Sequence, residues 1–146
     1  MTIEDRQGAA YHEASHIVVA WALGLEVGAA TIAINNDDAK GTSEIGHAER
    51  LPLVDRIALC AAGLESQSMF DAPTHPYAGV MDEARIIELT EDLDEESRLT
   101  QRDDGYRRAH NLIKAHAAKV DQLAKNLLAR GSLTQAEVCS LLECKI

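Results

Sequence analysis

The segment from Ala9 to Trp21 constrains the fold most strongly, because it is apolar on nearly all sides when it is read as a helix. Such a helix is expected to be covered by other elements. The segment nevertheless carries three ionisable side chains, His12, Glu13 and His16. Buried ionisable groups need partners, so the sequence predicts a central helix with a polar site on one face.

The spacing of these three residues is typical of a metal site. Positions i and i+4 of a helix project from one face, so His12 and His16 can direct two imidazoles at one point. Zinc takes such nitrogens at roughly 2.0–2.1 Å in a tetrahedral site. Glu13 is rotated by about a third of a turn, where its carboxylate can reach a zinc-activated water without being a ligand. Zinc lowers the pKa of that water to about 7, so we expect attack on a peptide carbonyl with Glu13 as general base.

A plainer interpretation of the motif is a surface helix with two solvated histidines. His-Glu-x-x-His arises by chance in roughly half a per cent of chains of this length, given ordinary residue usage. The apolar residues on both sides of the motif favour burial, and therefore the metal site.

A catalytic zinc needs a third protein ligand and one open position. Asp82 shares a face of a predicted helix with Ile86 and Leu89, so we expect it to point inward and to need a cation. Acids are also favoured in the first turn of any helix by its dipole, however. Spacing alone therefore leaves Asp82 level with the other candidates taken together, which are Glu44, His47, Glu49, Glu65, His75 and Glu83.

The remaining pattern predicts a mainly α (α+β) fold with a small β element, in one domain that spans residues 1–146. Aromatic residues make up only 3% of the chain, so the core is aliphatic and suits packed helices. Predicted helices cover 2–23, 52–70, 80–93, 103–130 and 135–142, with strands at 29–34 and 42–45 and loops at 35–41 and 71–79. Thr2 and Thr134 are expected to open capping boxes, and Gly131 is expected to end a helix.

Net charge, hydropathy and cysteine usage disfavour several classes of partner and several locations. The net charge of −10 disfavours nucleic acid and anionic membrane surfaces. No apolar run reaches the roughly 18 residues that a membrane span needs, and the polar start of the sequence predicts no secretory signal. The three cysteines, Cys60, Cys139 and Cys144, form no Cys-x-x-Cys pair, so we expect a reducing cytoplasmic location.

The stretch "AYHEASHIVVAW" resembles the zinc-site helix of the FtsH family of AAA+ ATP-dependent zinc metalloproteases, in their C-terminal peptidase domain. The resemblance continues through "LVDRIALCAAGLESQSMF", "AGVMDEA" and the C-terminal segment from "DDGYRRAH" onward. It implies that His12, His16 and Asp82 bind zinc and that Glu13 is the general base. It also implies a helical zincin-like fold with a β element beside the active site, an extended peptide along an edge strand, and assembly into homo-oligomers.

The chain departs from the family pattern at several positions. It has no Walker A motif, so the resemblance implies that any AAA+ ATPase acts as a separate partner. Ser15 stands where the family usually has Gly, Leu64 where it has Arg, and Asp71 where it has Gly. Ser66 and Gln67 replace an Ala-Glu pair. None of these changes removes a predicted ligand or the base.

Three functional hypotheses follow. The first is a zinc metalloendopeptidase that hydrolyses peptides or unfolded protein. The second is a non-catalytic zinc-containing binding or adaptor domain, in which the metal contributes folding free energy. The third is a helical interaction domain without a metal. In all three, His75 is most simply a surface-loop residue, although a position near the site would let it polarise a carbonyl.

Overall fold

A computed structural model describes residues 3–32, 41–73 and 79–144 of the chain. The described residues form a mainly helical fold with a small antiparallel sheet, as the sequence predicts. The helices are α1 (Ile3–Ala22), α2 (Leu53–Met69), α3 (Val80–Thr90), α4 (Glu95–Ala115), α5 (Ala117–Arg130) and α6 (Gln135–Leu142). The strands are β1 (Val27–Ile32), β2 (Gly41–Ile45) and β3 (Ser132–Leu133), and a short 3-10 turn covers Ala48–Arg50.

Helix α1 lies at the centre of the fold, as its apolar surface requires. Ala14, Ile17 and Val18 are completely buried, because α2, α5 and the sheet pack around α1. Helix α6 closes the same core with Val138 and Leu142. A smaller apolar cluster joins α2, α3 and α4 around Ile57, Ala58, Ala61, Ile86 and Ala109.

The sheet has the order β2-β1-β3 with antiparallel pairing throughout. The pairing of β1 with β2 is irregular between Val27 and Ala30, and Glu44 accepts a hydrogen bond from the Ala29 amide at this bulge. Strand β3 was missed by the sequence analysis because two residues are too few to show alternation. Strand β1 begins two residues before the predicted strand, and the predicted turn lies outside the described residues apart from Gly41.

The prediction of one helix over 103–130 is wrong. Helix α4 begins earlier than predicted, within the acidic stretch at 92–97, because Asp94 accepts a hydrogen bond from the Ser97 amide and caps the helix. Helix α4 ends at Ala115, because the next residue, His116, has a φ of −119° and a ψ of 27°, which are not helical. Apolar spacing continues across this break, so periodicity did not reveal it. Helix α3 also ends at Thr90, three residues before its predicted end.

Other predicted signals are confirmed. Thr134 and Glu137 form the capping box of α6, and Gly131 follows α5 with a φ of 79°. Asp71, which follows α2 closely, has a φ of 51°, in the left-handed region that favours glycine. The capping box at Thr2 lies outside the described residues. Among the described helices, none is long and apolar enough to cross a membrane.

Candidate metal centre

The side chains of His12, His16 and Asp82 meet at one point beside α1. Helix α1 supplies the two histidines one turn apart, and the first turn of α3 supplies the aspartate. The Oδ2 atom of Asp82 lies 2.9 Å from the Nε2 atom of His12 and 3.2 Å from the Nε2 atom of His16. One potential ligand atom from each residue lies within 4.8 Å of the other two. The three residues are therefore positioned to hold a metal ion.

The separations suit a small divalent cation. Two ligand atoms of a tetrahedral zinc are about 3.3 Å apart, given bonds of roughly 2.0–2.1 Å. The two distances to Asp82, 2.9 and 3.2 Å, are close to this value, and all three potential ligand atoms lie within 4.8 Å of one another, so the side chains could adjust to hold an ion. Two imidazole nitrogens and one carboxylate oxygen also leave one tetrahedral position open for water or substrate.

The environment of His16 favours an interaction of its Nε2 atom with the opposing carboxylate. Its Nδ1–H donates to the Leu59 carbonyl at 2.8 Å, which fixes the ring so that Nε2 faces Asp82. Burial lowers the pKa of His16, but the hydrogen bond and charge of Asp82, with the charge of Glu13, outweigh burial and raise it overall.

Asp82 is held in its charged form by the same contacts. Burial alone would raise the pKa of this carboxyl, but the hydrogen bonds from His12 and His16 outweigh it and hold the pKa well below the usual range. An ionised carboxylate is the form that binds a metal. The centre therefore presents a negative oxygen to any cation without a cost for removing a proton from Asp82.

His12 is positioned by two residues of α2 that the sequence analysis did not place at the site. Its Nδ1 atom lies 3.0 Å from the Oε1 atom of Gln67, which is 98% buried. A Cβ atom on Gly63 would lie 2.5 Å from Nδ1 of His12 and closer still to two other ring atoms, so only glycine leaves room for the ring. The His12-to-Gln67 contact spans 55 positions in sequence, so no local sequence pattern predicts it.

Glu13 is buried beside the three residues, with 7% of its surface exposed. Its negative charge contributes to the raised pKa of His16. No residue in the ranges 3–32, 41–73 and 79–144 forms a hydrogen bond or ion pair with the Glu13 carboxylate. A carboxylate that is unpaired within these ranges is suited to receive a proton from a molecule that enters the site.

The other candidate third ligands lie elsewhere. Glu44 accepts from the backbone of β1, Glu65 pairs with His110 at 2.8 Å, and His47 lies 3.7 Å from Glu49. Glu83 accepts hydrogen bonds from Arg102 and Tyr106 of α4. His75 lies outside the described residues.

Ser15 and Ser66, two of the residues that differ from the pattern of the resembled family, share one backbone hydrogen-bond acceptor. The hydroxyl groups of Ser15 and Ser66 both donate to the carbonyl oxygen of Tyr11, at 2.7 and 3.3 Å. Both serines are completely buried, so their hydroxyl groups need this acceptor. Ser66 thereby ties α2 to α1 one residue before His12, and neither hydroxyl donates to His12, His16 or Asp82.

A scan against models of known protein families and a search of curated proteins both found no match to this chain.

Proposed function

We propose that this chain is a zinc-dependent metalloendopeptidase related to the peptidase domain of the FtsH family. The observation that carries the proposal is the convergence of His12, His16 and Asp82 on one point, with Glu13 next to His12 on the same helix. Two histidines, one aspartate and an adjacent carboxylate are the groups that metal-assisted hydrolysis needs. The resemblance of the surrounding sequence to the family supports the same conclusion.

Each residue has a distinct role in the proposed reaction. His12, His16 and Asp82 would hold zinc, which when bound acidifies a water molecule and polarises the substrate carbonyl. Glu13 takes a proton from the attacking water and later gives it to the leaving amine. The Leu59 carbonyl keeps the ring of His16 oriented throughout.

The proposed substrate is a peptide or an unfolded protein segment. Strand β2 is an edge strand in the order β2-β1-β3, and the sheet packs on α1. An extended peptide would pair with this edge by main-chain hydrogen bonds, without requiring a particular sequence. Folded substrates would depend on a separate AAA+ ATPase. We further propose a cytoplasmic location and assembly into homo-oligomers.

The decisive experiment compares Glu13→Gln with the wild-type protein on unfolded casein and on a peptide library. Both proteins should contain about one zinc per chain by elemental analysis, because Glu13 is not a ligand. Cleavage should fall by at least ~100-fold in the variant, the lower limit for loss of a general base. Glu49→Gln, on the exposed turn before α2, is the matched control and should cleave normally. Equal cleavage by Glu13→Gln and wild type would refute the proposal.

A second candidate is a non-catalytic zinc-containing adaptor. Asp82 connects α3 to α1 through both histidines, so a bound metal would act as a cross-link between the two helices. This candidate predicts stoichiometric zinc and a large decrease in melting temperature on chelation, but no cleavage by the wild-type protein. Lack of metal in the purified protein would contradict both candidates and favour the metal-free interaction domain.

A further inference from the structure

Gln67 forms a chain of two hydrogen bonds that ends at a proposed metal ligand. Its Nε2 atom lies 3.0 Å from the Pro73 carbonyl oxygen, and its Oε1 atom lies 3.0 Å from Nδ1 of His12. Gly8 of α1 makes this approach possible, because a Cβ atom there would overlap the Pro73 carbonyl and lie 3.0 Å from the Gln67 amide. The side chain is 98% buried, so water does not compete for either bond.

The chemistry of these groups fixes the direction of both bonds. A carbonyl oxygen only accepts, so the amide NH2 of Gln67 must face Pro73. The amide oxygen then faces His12 and only accepts, so Nδ1 of His12 must carry a hydrogen. The neutral ring therefore has its lone pair on Nε2, the atom that faces Asp82, and a cation would take the place of the proton that Nε2 shares with Asp82 in this structure.

We propose that Gln67 is a positioning residue that sets the metal-binding tautomer of His12 and links this ligand to the backbone at Pro73. The proposal rests on the metal centre of the proposed function, although not on peptide cleavage. It also gives a physical reason for an amide where the resembled family usually has Glu. A carboxylate accepts from His12 but has no hydrogen to give to Pro73, whereas an amide satisfies both neighbours.

Two variants separate the two parts of this role, the bond to His12 and the bond to Pro73, and a third variant is their control. Gln67→Met keeps the length of the side chain but forms neither bond, whereas Gln67→Glu keeps an acceptor for His12 and loses the donor to Pro73. Ser66→Ala is the matched control, since Ser66 is equally buried and joins the same two helices without bonding to a ring. The measurements are zinc affinity in competition with a chromophoric chelator, the visible absorption of the Co²⁺-loaded proteins, and the melting temperature of the metal-free proteins.

Zinc affinity should fall only in variants that lose the bond to His12, and the stability of the metal-free protein should fall in variants that lose the bond to Pro73. Gln67→Met should bind zinc about 10- to 100-fold more weakly, with an altered Co²⁺ spectrum. Gln67→Glu should bind zinc at least as tightly as wild type, and both variants should melt at lower temperature without metal. Ser66→Ala should lower the melting temperature without changing zinc affinity.

Two results would overturn the inference while leaving the proposed function intact. One is wild-type zinc affinity in Gln67→Met, and the other is equal loss of affinity in Gln67→Glu and Gln67→Met. Failure of the wild-type protein to bind zinc or Co²⁺ would instead overturn the proposed function and this inference together.

Discussion

Replacement of Gly63 by alanine should displace His12, a proposed metal ligand, from the position in which it meets His16 and Asp82. The new Cβ atom would lie 2.5 Å from Nδ1 of His12, whereas ordinary contacts begin at 3.4 Å. The ring must therefore move by at least about 0.9 Å, or α1 and α2 must separate by a similar amount. Ligand distances in a metal site tolerate only about 0.2 Å, so His12 can no longer share an ion with His16 and Asp82.

The size of the effect follows from losing a ligand. Loss of an outer partner of a ligand costs about 10- to 100-fold in metal affinity, so Gly63→Ala should exceed the upper end of that range. Overpacking should cost about 1–3 kcal/mol of unfolding free energy, partly offset by the ~1 kcal/mol that alanine gains over glycine in a helix. Zinc affinity is measured by competition with a chelator, and stability by urea unfolding of the metal-free protein.

Gly105→Ala is the matched control, because its Cβ atom would lie 2.7 Å from Cβ of Ile57 and closer still to a methyl group of that residue. It places a similar overlap between α4 and α2, and the nearest atoms belong to Ile57 and Ala58 and not to the three proposed ligands. Both variants should lose similar stability, but Gly63→Ala should lose much more zinc affinity than Gly105→Ala, because only Gly63→Ala overlaps a proposed ligand directly. Wild-type zinc affinity in Gly63→Ala would refute the assignment of His12 as a ligand.

Two further predictions concern stability. Burial, followed by the hydrogen bond to Glu83 and its charge, raises the pKa of Tyr106 to about 12. The unfolded chain then releases this proton first, so stability should hold below about pH 10 and fall as the pH rises towards 12. Urea unfolding at a series of pH values should show a smaller decrease for Tyr106→Phe, and an unchanged decrease would contradict this reasoning. Asp71→Gly should raise the unfolding free energy by up to ~1 kcal/mol, because glycine adopts a positive φ without strain; a lower urea midpoint would contradict it.

The sequence predicts those features that depend on neighbours along the chain. The buried central helix follows from the apolar residues of α1, and the capping box at Thr134 follows from a hydroxyl and an acid three residues apart. The pairing of His12 with His16 likewise follows from one turn of helix. These relations are set by local geometry, so one sequence suffices to specify them.

Features set by tertiary contacts could not be predicted from one sequence in this way. Spacing alone did not single out Asp82, because it lies 70 positions from His12 and first-turn acids are common. Gly63 and Gln67 act at the site only because α2 crosses α1 closely at His12. The break at His116 could not be predicted because the helical spacing of apolar residues in α4 continues into α5 without an interruption.

The helix that supplies Asp82 is the least buried part of the centre. Of its eleven residues only Ile86 and Thr90 are buried, while Met81 is 80% and Ile87 is 60% exposed. Its main polar tie to α4 is Glu83, which accepts from Arg102 at 2.9 Å and also from a tyrosine hydroxyl. Little apolar surface therefore holds α3 in place.

A metal ion that binds only when α3 is docked would add directly to this weak attachment. The added free energy is about 4 kcal/mol when free zinc exceeds its dissociation constant by about a thousandfold. That amount is comparable with burying two aliphatic side chains, at about 1.5–3 kcal/mol each. Metal occupancy and the docking of α3 are thus expected to be one linked equilibrium. The Glu83 contacts to α4 should raise the metal affinity of the centre by holding α3 in place, and the Gln67 contact should raise it by orienting His12.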